Sequence, residues 1–134
     1  MPQVASLDTN LVVRLFVTSE NPSLSEAVIR SIESNQVTHI ADLAVNETVF
    51  VLHRHYGLAR DVIAKLFQNL FNNPKINCNV AMLVKAFGYF TEKPALSFED
   101  CCLAVYAEFN DALPLLTNDH KLAKQLSQAQ LIKV

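Results

Sequence analysis

The sequence predicts an α/β fold in which a parallel sheet carries helices on both faces. Short apolar runs alternate with longer segments of helical periodicity, the pattern of strands joined by crossover helices. The opening run has no charge, which is typical of a strand buried on both faces. The chain is 51% hydrophobic and 18% charged, as compact globular proteins are. We expect one domain over residues 1–134, because no linker, repeat or low-complexity segment interrupts the pattern.

The first strand and helix are predicted in VASLDTNLVVRLF, residues 4–16. The apolar strand ends at Asp8, and Thr9 and Asn10 continue with turn and cap chemistry before helical spacing begins. Ligands of open parallel sheets bind beyond the carboxyl ends of strands, which is where Asp8 stands. The structural alternative is that Asp8 only caps the helix.

The rest of the chain continues the alternation of helices and strands. We predict helices over residues 24–34, 43–56, 58–72, 80–90, 97–111 and 121–126, and strands over residues 36–41, 76–78, 113–117 and 130–134. Gly57 is expected to end the helix before it. His39 has no acid or cysteine close to it in its strand, so we interpret it as structural.

Charge and cysteine content point to a cytoplasmic protein. The net charge of −2 gives no large basic field, although bound cations or a local patch could still serve a nucleic acid. The three cysteines lack metal-ligand spacing and are interpreted as buried, reduced thiols. No signal-like segment and no apolar run near the ~18 residues of a membrane span is present, so no membrane association is expected.

Several carboxylates occupy positions that call for an explanation. Asp119 follows the strand at residues 113–117 as Asp8 follows the first strand. Glu47 has apolar neighbours at helical spacing, so we expect its carboxylate within an apolar face, where it is costly without compensation. On the helix that begins near residue 97, periodicity does not choose between Glu99 and Asp100. Taken singly, each acid is equally well explained by a structural role.

Together the acids indicate a cation. Four carboxylates about 5 Å apart would repel by about 3 kcal/mol per pair at an effective dielectric constant of 20. Ligation by oxygen alone is preferred by Mg²⁺ and Mn²⁺, and such metals commonly serve phosphoryl chemistry. A serine or cysteine nucleophile is disfavoured, because Ser6 and Cys101 have no recognisable base partner.

Four short motifs, taken in order, resemble the PIN domains, and among them the VapC-like ribonuclease toxins. The motifs are Asp8-Thr9-Asn10 with the helix behind it, Glu47 within AVNETV, Ser97-Phe98-Glu99-Asp100 at a helix start, and LLTND ending at Asp119. The resemblance covers essentially the whole chain. It implies a PIN-like three-layer fold with strand order 3-2-1-4-5 and RNA cleavage that depends on Mg²⁺ or Mn²⁺. It also implies a homodimer and a cognate antitoxin that occupies the active-site groove.

The resemblance assigns the site residue by residue and selects Asp100 over Glu99. The implied metal-binding acids are Asp8, Glu47, Asp100 and Asp119, with Thr9, Asn10 and Thr117 as polar supports. Asp8, Asp100 and Asp119 would hold the metal directly or through water, while Glu47 would bind it or orient the attacking water. Many relatives carry acids where this chain has Ser97 and Lys121, so the site is expected to hold one metal firmly and a second only with substrate.

Phosphate contacts would come from the few cations near these elements. The candidates are Arg14, Arg54, expected on the same helix face as Glu47, and Lys121; solvated surface charge is the alternative for each. Three rival functions stay open: a PIN nuclease for other structured nucleic acid, a catalytically silent PIN-like module that binds a partner, and a phosphoacceptor domain. The last is disfavoured because Asp8 stands without an adjacent acid.

Overall fold

A computed structural model describes residues 3–134 and divides the chain into two compact units, which meet in the sequence at Val80 and Ala81. The first unit contains strands β1 (Val4–Ser6), β2 (Val37–His39) and β3 (Ile76–Asn77), and helices α1 (Thr9–Phe16), α2 (Pro22–Ser34), α3 (Asp42–Phe50) and α4 (Arg60–Phe71). The second contains helices α5 (Val80–Glu92, from its second residue on), α6 (Phe98–Phe109) and α7 (His120–Gln125), and strands β4 (Leu115–Thr117) and β5 (Ala129–Leu131). The predicted α/β class is confirmed.

All strand pairs are parallel. In the first unit the order is β1-β2-β3, with Ala5 opposite Thr38 and His39 opposite Asn77. In the second unit β4 pairs with β5, and Leu115 lies opposite Ala129. These pairings agree with the 3-2-1 and 4-5 portions of the expected order. The placement of β1 beside β4 and the single-domain organisation stay predictions.

The strands are shorter than predicted. Pro114 has no backbone N–H to give to a ladder, and β4 begins at the next residue, Leu115. The last strand ends at Leu131 instead of continuing to Val134. The prediction that the first strand is buried on both faces is wrong, because Val4 is 57% exposed, Ser6 is exposed and Ala5 is only half-buried.

The helix after β2 changes its hydrogen bonding midway. Residues 43–56 were predicted as one α-helix, but Val51–His55 is π-helical, and the N–H of Tyr56 donates to the Val51 carbonyl five residues back at 3.2 Å. Gly57 ends the segment with a φ of +67°, as predicted, because a left-handed residue there favours glycine. The wider turn interrupts the 3.6-residue period between Glu47 and Arg54, so the expectation that the two residues share a helix face stays a prediction.

Each unit has apolar side chains that are removed from solvent. In the first unit Val12, Val45 and Ile63 are fully buried, and the rings of Phe16 and Phe67 lie 5.0 Å apart. Burial of such side chains is the main favourable term in folding. The ring contact joins α1 to α4.

The second unit adds a polar network to its aromatic core. The rings of Phe87 and Phe98 lie 4.4 Å apart. Lys85 forms an ion pair with Glu108, and the amide nitrogen of buried Gln128 donates to Glu108 at 3.3 Å and to the Tyr89 hydroxyl at 3.0 Å. The hydrogen bond from Lys85, followed by its charge, holds the pKa of Glu108 below its usual range despite some desolvation. These contacts join α5 and α6 to the residue that precedes β5.

Among residues 3–134, no helix combines the length and the apolar character that crossing a bilayer requires.

Candidate active site

Asp8 ends the β1 segment and begins α1. It is the N-cap of α1, and its Oδ1 accepts a hydrogen bond from the Leu11 N–H at 3.1 Å. This is the capping role that the sequence left open for it. Oδ2 makes no hydrogen bond to any residue of the described chain, so one carboxylate oxygen stays available at the strand end.

The start of α1 meets α3 through a side-chain hydrogen bond. Thr9 Oγ1 donates to Glu47 Oε2 at 2.8 Å across 38 residues of sequence. This bond brings a predicted supporting residue together with a predicted metal-binding acid, next to Asp8. Asn10, the second residue of α1, is exposed beside them.

The surroundings of Glu47 differ from the prediction. Glu47 is exposed, and its helical neighbours Leu43 and Phe50 are 69% and 65% exposed. The carboxylate therefore lies on an apolar face, as its spacing predicted, but that face is open to solvent. The expected desolvation cost does not arise. Leu43, Glu47 and Phe50 form an exposed surface, which we call the α3 face.

In the second unit, Asp100 closes a reciprocal cap at the start of α6. The Asp100 N–H donates to Ser97 Oγ at 3.1 Å, and the Ser97 N–H donates to Asp100 Oδ2 at 3.4 Å. Both bonds satisfy backbone donors that a helix start leaves without partners. Glu99 is exposed, whereas Asp100 is partly buried.

Asp119 repeats the arrangement seen at Asp8. It follows β4 and caps α7, with Oδ1 accepting from the N–H groups of Lys121 at 2.9 Å and Leu122 at 3.2 Å. The Asp119 N–H donates to Thr117 Oγ1 at 3.0 Å, so the predicted supporting threonine fixes the turn that presents the acid. Its Oδ2 has no hydrogen-bond partner within residues 3–134.

The donors fit a hard divalent cation. Asp8, Glu47 and Asp119 offer only carboxylate oxygens, and each aspartate keeps one oxygen outside its cap. Within residues 3–80, and likewise within residues 81–134, no three Asp, Glu, His or Cys side chains stand close enough to hold a metal. Convergence of Asp8 and Glu47 with Asp100 and Asp119 stays a prediction.

The three candidate phosphate contacts differ in their surroundings. Arg14 is buried; its guanidinium donates to the Tyr56 hydroxyl at 3.1 Å and to Glu20 at 3.4 Å, so it has an internal role in place of the expected phosphate contact. The Tyr56 hydroxyl also donates to Glu20 at 2.8 Å, and this bond, followed by the bond from Arg14, lowers the pKa of Glu20. Arg54 and Lys121 are exposed.

A further group of polar residues lies at the carboxyl ends of β2 and β3, and no functional role was predicted for it. Asp42, Asn77 and Asn79 line a cavity there together with His39, which was predicted to be structural. The available signal was positional, since Asp42 and Asn79 directly follow predicted strands, whereas His39 and Asn77 were placed inside them and end the observed strands. No linear motif unites them.

Comparison with known proteins adds one finding. A family model described as the PIN domain matches residues 5–125, which include all four acids and both capped strand ends. No curated protein matches the chain.

Proposed function

Because this chain belongs to the PIN-domain family, whose members are generally metal-dependent nucleases, we propose that it is a metal-dependent endoribonuclease. The observation that carries the proposal is the hydrogen bond between Thr9 and Glu47, which places a held carboxylate beside Asp8 at the end of β1. Asp8, Asp100 and Asp119, with Glu47, would hold Mg²⁺ or Mn²⁺. A bound divalent metal lowers the pKa of a coordinated water and stabilises charge on the phosphate.

The protein's own residues would divide the work between them. Thr9 occupies Oε2 of Glu47 and leaves Oε1 for an attacking water or the metal. Thr9 is therefore a positioning residue, and Glu47 is the group that would touch the reacting water. Thr117 plays the corresponding part for Asp119 by fixing the turn before α7. Exposed Lys121 and Arg54 would contribute charge to the RNA backbone.

We extend the proposal to the toxin of a toxin–antitoxin pair that acts in the cytoplasm as a homodimer. The α3 face supports this extension, because Leu43 and Phe50 expose apolar surface on both sides of Glu47. A cognate antitoxin segment could cover that apolar surface and block the carboxylate at once. Expression of the chain without such a partner should arrest bacterial growth, and the Glu47→Gln variant should not.

The direct test is cleavage of total cellular RNA by the purified protein, freed of any bound partner, with Mg²⁺ or Mn²⁺ and with EDTA. Wild type should give discrete fragments with metal and none with EDTA. Glu47→Gln should lose cleavage. Glu33→Gln is the matched control, since Glu33 is also an exposed helix glutamate, and it should cleave as wild type does. Intact RNA under every condition, with folded protein, would overturn the proposal.

A second function is favoured by one observation. Asp8, Asp100 and Asp119 all cap helices, so each has a structural reason to be present without catalysis. A catalytically silent PIN module that only binds a partner would keep these caps. In that case Glu47→Gln would change no activity on RNA or DNA, whereas substitutions at Leu43 or Phe50 would weaken partner binding. Metal-dependent cleavage of structured DNA alone would instead identify a different nucleic-acid substrate.

A further inference from the structure

A cavity of about 540 Å³ opens at the carboxyl ends of β1, β2 and β3. It lies within the first unit and is lined by residues 6–7, 39–42 and 77–79. Its volume is within the range of small-ligand sites, roughly 300–1,000 Å³. Neither Thr9 nor Glu47 lines it, so it is separate from the acids described above.

The cavity presents hydrogen-bonding groups of both kinds. The Asn77 amide nitrogen lies 2.8 Å from His39 Nδ1, and an amide nitrogen can only donate, so the tautomer that matches this contact has its N–H at Nε2. The Asn79 amide nitrogen donates to Asp42 Oδ2 at 3.3 Å, which leaves Asp42 Oδ1 and the Asn79 carbonyl oxygen as acceptors. Leu7, Ile40 and Ala41 supply apolar wall.

The charge of the cavity disfavours phosphate. No Lys or Arg is among its lining residues, and Asp42 places a carboxylate in it. The N-cap residue of α3, Ala41, makes no side-chain hydrogen bond, and the N-terminus of a helix attracts anions. Asp42 in the first turn already places a negative charge there. Burial, and secondarily Asp42, raises the pKa of Cys78 to about 11, so the thiol is neutral at pH 7. A neutral ligand with N–H donors suits this environment.

The cavity also lies close to the candidate active site. Ser6 and Leu7 line it, and Asp8 is the next residue. Two residues of extended chain span at most about 7 Å, so a nucleotide whose phosphate lies at Asp8 could place a base in the cavity.

We propose that this cavity is a nucleobase subsite that binds a base with an exocyclic amino group, next to the phosphate that is cut. The inference rests on the proposed function. Asp42 accepts from the amino group, as carboxylates do from cytosine N4, and His39 Nε2 donates to a ring nitrogen or carbonyl of the same base. Uracil has no amino group. The subsite therefore selects cytosine, adenine or guanine over uracil.

The first test measures binding directly, without cleavage. Cytidine, adenosine, guanosine, uridine and inorganic phosphate are titrated separately into the full chain, and the side-chain amide signals of Asn77 and Asn79 are followed by NMR. At least one amino-bearing nucleoside should bind roughly five-fold or more tightly than uridine. Equal binding of uridine, strongest binding of phosphate, or no shift at these amides with any nucleoside would overturn the proposal.

A matched pair of variants isolates the carboxylate. Asp42→Asn should weaken binding of the preferred nucleoside about tenfold, because a charge-assisted hydrogen bond is lost. Asp61→Asn is the control: Asp61 is also a first-turn acid, on α4, whose N-cap Ala59 likewise offers no side-chain bond. Both variants should keep the wild-type far-UV spectrum. Equal affinity in Asp42→Asn and wild type would remove Asp42 from the subsite.

A second measurement separates failure of the subsite from failure of the nuclease proposal. In fragments from wild-type cleavage, an amino-bearing base should flank the cut at one fixed position, and Asp42→Asn should relax that preference while cleavage continues. If RNA is cut with uracil equally frequent at that position, the subsite is refuted and the nuclease stands. If nucleosides bind with the expected selectivity but no RNA is cut, the nuclease is refuted and the cavity stands as a nucleoside site.

Discussion

Replacing Asp8 separates its two roles, because Asn retains a cap that Ala removes. In the wild type Oδ1 caps α1 at the Leu11 N–H, and Asn caps helices about as well as Asp does. Asp8→Asn should therefore change the free energy of unfolding by less than about 0.5 kcal/mol. Asp8→Ala should lower it by about 1 kcal/mol, since α1 carries buried Val12 and Val13 into the core.

Urea denaturation measures the difference between the two variants. With a slope of about 2 kcal/mol per M, a loss of about 1 kcal/mol moves the midpoint by roughly 0.5 M. Cleavage should fall at least about 100-fold in both variants, because even residues that only support metal ligands commonly cost 10–100-fold. Both variants would remove Asp8 as a metal ligand, but only Asp8→Ala would also remove the helix cap.

A third variant supplies the control for the cap alone. Asn21 caps α2 by accepting from the Leu24 N–H at 3.1 Å, and it has no place in the candidate site. Asn21→Ala should lose about 1 kcal/mol of stability and keep full cleavage. The reasoning is refuted if Asp8→Asn cleaves like wild type, or if it is as unstable as Asp8→Ala.

Four further predictions concern stability and pH. Thr38→Val should raise the free energy of unfolding by about 1 kcal/mol, because the Thr38 hydroxyl is buried without a partner. Thr48→Val should give no such gain in stability, because the Thr48 hydroxyl donates to the Ala44 carbonyl at 2.7 Å. A gain in stability in both variants would show that the unpartnered hydroxyl is not the cause. Gly57→Ala should lower the free energy of unfolding by about 1–2 kcal/mol, because Gly57 has a left-handed backbone conformation that alanine disfavours. By contrast, Gly88→Ala within α5 should raise the free energy of unfolding by roughly 0.5–1 kcal/mol. The urea midpoints of the two glycine variants test these expectations. Because the folded-state pKa of Glu20 is lowered, its stabilisation is present above its usual value near 4.5 and is lost as pH falls through the folded value. The stability difference between wild type and Glu20→Gln should therefore shrink in acid, and a difference that grew there would reverse the assigned sign.

The fold was predictable where local pattern and backbone geometry agree. Asp8 and Asp119 each follow a strand and begin a helix, and both transitions were visible in the sequence as apolar runs that end in cap residues. The π-helical turn at Val51–His55 was not visible, because the switch to five-residue hydrogen bonds leaves the apolar spacing of the sequence unmarked. Strand ends shifted by one to three residues, at β4 because Pro114 has no N–H to donate to a ladder.

The sequence indicated the acids of the candidate site but not their surroundings. The apolar spacing around Glu47 identified the helix face on which it lies. It could not show whether other elements cover that face, because coverage depends on tertiary packing. Arg14 donates a hydrogen bond to Tyr56, which is 42 residues away in the sequence, and no local pattern predicts such a contact. The cavity was missed since Asp42 and Asn79 come together only when β2 and β3 pair.

The caps at Asp8 and Asp119 also bear on how such a protein would change over evolutionary time. Aspartate and asparagine codons differ by one nucleotide, and asparagine preserves both helix starts. A single point mutation could then silence the chemistry while the fold and the exposed α3 face persist. A gene copy altered in this way would encode a folded protein that keeps the surface proposed above to bind a partner.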